Sequence, residues 1–100
     1  MRHWHTYEDE FIFVLSGEVV LVTDEGEQVL IAGMCAGFPA SPAGKTGNGH
    51  QLVNRGSEPA VYLEVSNRDP RYSASYPDVD LVFHRVNGAV VFTHKDGSPY

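Results

Sequence analysis

Disulfide chemistry is the first thing the sequence excludes, because Cys35 is the only cysteine in 100 residues and a lone thiol forms no internal bridge. A reducing, cytoplasmic setting is the matching expectation. Positive charge is also scarce, with seven Lys and Arg against 13 Asp and Glu and a formal net charge of −6. With no basic cluster to neutralise phosphates, no nucleic-acid partner is expected. Long apolar runs are missing too. None approaches the roughly 20 residues that span a bilayer, and no signal-peptide pattern precedes the first motif, so no membrane partner is expected. No internal repeat occurs. What remains is the 42% hydrophobic composition of one globular domain, long enough to bury at most roughly two-thirds of its unfolded surface.

Short apolar runs separated by turn residues predict an all-β chain. Residues 10–15 and 18–23 flank Ser16-Gly17, where glycine's tolerance of positive φ suits a tight hairpin. Asp24-Glu25-Gly26 turns the chain into a strand over 27–31, and Ala32-Gly33-Met34 turns it into another over 35–38. Cys35 then reads as a small buried hydrophobe. Ala60–Ser66 is apolar on both faces, as a central strand would be, and 67–77 reads as a polar connector. Asn87-Gly88 between Leu81–Val86 and Ala89–His94 is the strongest short hairpin signal, setting Phe83 opposite Phe92 and His84 opposite Val91.

Chemistry concentrates at the front of the chain. His3 and His5 sit two apart, so on a strand they share a face, with Cα atoms roughly 6–7 Å apart. After the polar turn Thr6-Tyr7-Glu8-Asp9, the next strand can run back alongside the first and bring Glu10 to the same point. Two imidazoles and one carboxylate suit a borderline divalent metal. Farther on, His50, Leu52 and Asn54 share a face of a short alternating run. If Glu10 points inward, Ile12 and Val14 do too, while Phe11, Phe13 and Leu15 form an outward apolar ridge that needs cover. A second copy of the chain, as a homodimer, is the expected cover.

The spacing resembles the cupin pattern. Its first motif runs HxH, three or four residues, E, six residues, G, and residues 3–17 match it from His3 to Gly17. Its second is matched at the front by Gly33 and Pro39 and at the back by His50 and Asn54. The stretch between them is longer than the pattern, which would place the histidine at 44 rather than 50. The resemblance implies a cupin-type jelly roll, a double-stranded β-barrel, over one domain spanning 1–100. The metal-site core would cover about 3–66 and the C-terminal hairpin about 81–94. It also implies His3, His5, Glu10 and His50 as ligands of one divalent transition metal (Fe, Mn, Ni or Zn), facing a small-molecule ligand in the barrel.

Cupins include dioxygenases, isomerases and decarboxylases, and also non-catalytic ligand sensors and metal-free assembly proteins, so the reaction stays open. Residues 39–49, rich in Gly and Pro, read as a lid that carries Lys45 toward an anionic substrate group. Asn54 reads as a turn residue that satisfies local backbone. His84 and His94 fall on opposite faces of their hairpin and are expected to stay out of the site. The first cupin motif has an upstream glycine and its relatives carry earlier strands, so either the start is placed late or the strands that normally flank His3 come from elsewhere.

Overall fold

The computed structural model describes residues 1–41, 47–67, 69, 71 and 73–100. They form ten strands: β1 (Trp4–His5), β2 (Glu10–Ser16), β3 (Glu18–Thr23), β4 (Gly26–Ile31), β5 (Cys35–Phe38), β6 (Gln51–Val53), β7 (Val61–Ser66), β8 (Ser73–Tyr76), β9 (Leu81–Val86) and β10 (Ala89–Thr93). No helix occurs among the described residues, and none is therefore long and apolar enough to cross a membrane. All strand pairs are antiparallel, in three sheets ordered β5-β2-β7, β4-β3-β6 and β1-β8-β9-β10.

The core lies between the first two sheets. Alternation along β2 turns Ile12 and Val14 inward, where they are 2% and 0% exposed. They pack against Val19 and Leu21 of β3 and Leu30 of β4, with Phe38 and Leu52 at the margin. The third sheet is joined to the second where His3 and His50 exchange backbone hydrogen bonds of 3.0 and 2.9 Å. That junction brings two distant histidines side by side. Arg2 secures it from outside, donating to Asp78 at 2.7 and 3.0 Å and also to Asp24, so the chain start is clamped to two turns.

Several expectations need correction. Strand β1 pairs with β8, not with β2, and β8 lies inside the stretch read as a connector. Ser16-Gly17 is not a hairpin: β2 and β3 belong to different sheets, and Gly17 is the corner between them. Strand β7 is an exposed edge rather than a central strand. Its apolar composition reflects an outer face that nothing among the described residues covers. Cys35 is exposed on that same face, not buried. The C-terminal hairpin forms as expected, with Phe83 opposite Phe92 and His84 opposite Val91. Asn87 and Gly88 both have positive φ, 49° and 81°, as a type I′ turn requires.

Gly17 is where the corner depends on glycine. Its φ is +74°, and an added Cβ would lie 2.6 Å from the Pro59 carbonyl oxygen and 3.0 Å from the Ala60 Cα. Both contacts are backbone, so neither can move cheaply. Gly17→Ala is expected to destabilise the chain by about 1–3 kcal/mol. Gly37→Ala, where a Cβ meets nothing within 4 Å, is expected to be close to neutral. Urea midpoints of the two variants check the contrast.

Candidate metal centre

Four side chains converge where the three sheets meet. His3 precedes β1 and His5 ends it, Glu10 opens β2, and His50 immediately precedes β6. Each offers one ligand atom, and those atoms all lie within 4.8 Å of one another. The Glu10 Oε2 is 2.8 Å from His50 Nε2 and 3.3 Å from His5 Nε2. His5 and His50 are buried, at 7% and 5% exposure.

Local structure fixes each group. The turn between β1 and β2 is pinned by Asp9, whose Oδ1 accepts the Ala40 N–H at 2.7 Å, and by Asn67, whose Oδ1 accepts the Asp9 N–H at 2.7 Å. His5 is held through its carbonyl, which accepts the Ser41 N–H at 2.8 Å. The His50 ring stacks on Phe38, centroids 3.8 Å apart and planes 10° from parallel. His3 Nδ1 is 3.2 Å from the Met1 carbonyl. A carbonyl only accepts, so this nitrogen carries the hydrogen and Nε2 keeps the lone pair.

The donor set fits a divalent metal. With bonds of about 2.1 Å, neighbouring ligand atoms lie roughly 3 Å apart and opposite ones roughly 4.2 Å apart. The two contacts to Glu10 have the first spacing, and the widest pair, within 4.8 Å, needs to close by about 0.6 Å. Hydrogen bonds from His5 and His50 hold the Glu10 carboxyl well below the usual carboxylate range, so it is an anion at neutral pH. Burial lowers the His3 pKa below its ordinary value, which keeps that imidazole neutral and available as a donor.

The centre opens into a cavity of about 310 Å³. Its lining contains a group that sequence reasoning missed. Glu64 of β7 lies opposite Ile12 in the β2–β7 register and hydrogen bonds to Glu10, which, with burial and the Glu10 charge, pushes its pKa up to about 7. The available signal was the single charge in an otherwise apolar strand. Tyr62, opposite Val14, lines the same cavity, as does Gln51.

The other sequence candidates lie elsewhere. His84 Nε2 is 3.2 Å from the Thr93 hydroxyl. His94 Nδ1 is 2.8 Å from an Asp80 carboxylate oxygen, and its ring stacks on Tyr100 at 3.9 Å. Asn54 serves its turn, accepting the Gly56 N–H at 3.0 Å and donating to the Glu58 carbonyl at 2.9 Å. Lys45 and the middle of the expected lid, residues 42–46, lie outside the described residues.

Two facing antiparallel sheets with three histidines and a carboxylate at their junction define a cupin-type β-fold. Comparison with known proteins agrees. Residues 1–66 match the family model described as "Cupin domain", and the chain belongs to that family. No curated protein matches it. Among solved structures, the chain resembles a cupin-superfamily sugar phosphate isomerase from Silicibacter pomeroyi, with a TM-score of 0.91 and 44% identity over all of this chain and 61% of that one. It also resembles a protein provisionally assigned as a sugar phosphate isomerase from Acidithiobacillus ferrooxidans, with a TM-score of 0.84 and 26% identity over 99% of this chain and 60% of that one. The chain thus spans about three-fifths of the length of both.

Proposed function

We propose that this cupin binds one divalent metal through His3, His5, Glu10 and His50, and that it isomerises a small phosphorylated sugar in the adjoining cavity. The observation that carries the reading is the convergence of four donors within 4.8 Å, three of which, His3, Glu10 and His50, line a cavity of about 310 Å³. The sugar phosphate assignment is supported by the isomerase names of the two similar structures. A bound divalent metal supplies Lewis acidity, polarising a carbonyl or hydroxyl oxygen of the substrate. The protein contributes the rest. The Thr6–Asp9 turn and the His3–His50 bridge hold the donors in place, Ile12, Phe38 and Leu52 give the cavity apolar walls, and Tyr62 and Glu64, the latter hydrogen-bonded to Glu10, add polar groups to its lining.

The test is conversion of aldose phosphates to ketose phosphates by the metal-loaded chain, followed by NMR. Ribose 5-phosphate, glucose 6-phosphate and mannose 6-phosphate are suitable first substrates. Conversion by the loaded chain that stops on chelation supports the reading. A loaded chain that converts none of them removes the isomerase assignment and leaves a metal-binding module.

Metal affinity is expected to fall as pH drops below about 6, because an imidazole must be neutral to ligate. The sign follows from protons competing with the metal for the same lone pairs. At His3 the competition begins only below the ordinary imidazole value, since burial lowers its pKa. Metal titrations at pH 7.5, 6.5 and 5.5 check this, and an affinity that does not weaken over that range counts against imidazole ligation.

A further inference from the structure

The inner face of β7 carries chemistry that ligation of a metal does not use. Alternation sends Val61, Leu63 and Val65 outward and Tyr62 and Glu64 inward, opposite Val14 and Ile12 of β2. Both inward residues line the cavity beside Glu10 and His50. The Tyr62 hydroxyl has no hydrogen-bond partner among the described residues, and at 38% exposure on an edge strand it can be reached by a ligand in the cavity. Gln51, on the adjoining wall, likewise has an amide with no side-chain partner among them. These are a carboxyl, a phenol and an amide facing one space.

Such a wall suits one chemical class better than others. The Glu64 carboxyl is engaged with Glu10 through one oxygen, which leaves the other to bond one ligand hydroxyl, and a phenol and an amide can each both donate and accept. Adjacent hydroxyls on a carbon chain supply the matching set. A dicarboxylate of similar size would bring negative charge against Glu10 and Glu64, a repulsion that a half-open cavity screens only in part. The ligand's C–H surface would meet Ile12, Phe38 and Leu52. The volume, about 310 Å³, is at the lower end of the roughly 300–1,000 Å³ of small-molecule sites, which favours a short chain over a nucleotide or an oligosaccharide.

We propose that Glu64 and Tyr62 form a hydroxyl-recognising wall that holds two adjacent hydroxyls of a short polyol facing the four-donor centre. This deepens the isomerase reading by naming the residues that select its substrate, yet it concerns binding and does not require turnover.

The test is calorimetric titration of ribitol, ribitol 5-phosphate and, as a hydroxyl-free competitor, glutarate. Each is titrated into the chain both metal-loaded and chelated. The expected result is that at least one pentitol binds in at least one of the two states and that glutarate binds more weakly. Glu64→Gln and Tyr62→Phe should each weaken pentitol binding by about tenfold or more, the loss expected when a site's hydrogen bond to a ligand hydroxyl is removed. Metal affinity of Tyr62→Phe should stay within about twofold of the parent, and Val65→Thr on the outer face should change neither property. Pentitols that bind in neither state, glutarate bound more tightly than both pentitols, or a Glu64→Gln variant with parental pentitol affinity would each overturn the proposal. A chain that takes up no metal but still binds a pentitol through Glu64 would instead overturn the metalloenzyme reading and leave this wall standing.

Discussion

Replacing His3 and His5 together with alanine is expected to lower metal affinity by more than about 100-fold, beyond the 10–100-fold that loss of a supporting partner costs. Two of the four converging donors disappear, and the remaining pair, Glu10 and His50, cannot enclose a cation from one side. The fold should survive, because the links made by this segment are backbone ones: the His3–His50 exchange and the His5 carbonyl to the Ser41 N–H. Elemental analysis after dialysis checks it, on protein purified without chelator or affinity metal, with circular dichroism confirming the strands. His84→Ala and His94→Ala should retain the metal, since Thr93 and Asp80 occupy those rings away from the centre. Retention of metal by the double variant would sink the assignment of the ligands.

Period-two alternation makes much of this arrangement legible in the amino-acid sequence. It separates an inward set of Glu10, Ile12 and Val14 from an outward set of Phe11, Phe13 and Leu15, and the buried and exposed residues of β2 follow it. Turn chemistry locates the Asn87-Gly88 hairpin and its register. Pairing partners are not legible in the same way. A strand's neighbour is chosen by packing over the whole chain, so Trp4–His5 meets Ser75 and Ala74 rather than the strand next in sequence. The turn at Ser16-Gly17 is ambiguous for a related reason. A glycine with positive φ serves a hairpin and a corner equally well, and only the approach of Pro59 decides between them. Strand β8 is hidden because Ser73–Tyr76 is short and polar. Glu64 is hidden because its strand's apolar surroundings read as central, whereas they belong to one uncovered face.

That face is the basis of the second large effect. On the outer side of the β5-β2-β7 sheet, Phe11, Leu15, Val61, Leu63 and Val65 are between 41% and 54% exposed, although the first two alternate with core residues. Among the described residues β7 is an edge strand of this sheet, and an edge offers backbone groups for pairing. The molecule is also extended: its radius of gyration is 14.6 Å with extents of 40 × 25 × 22 Å, against about 13 Å for a compact chain of this length. We infer that a second copy covers this face. A twofold arrangement would bury ten such half-exposed side chains, worth about 8–15 kcal/mol in gross transfer energy. Association costs roughly 4–15 kcal/mol in lost freedom, so pairing of the strand edges must contribute to the net. The parent chain is expected to sediment as a dimer at tens of micromolar. Leu63→Glu should make it a monomer, because the twofold places like charges in a drying interface while the half-exposed side chain leaves the fold intact. Phe92→Glu, on the outlying β10 strand and 47% exposed, should leave the dimer unchanged. A folded parent monomer at that concentration would end the claim, and a dimer lost only with Phe92→Glu would move the contact to the C-terminal hairpin.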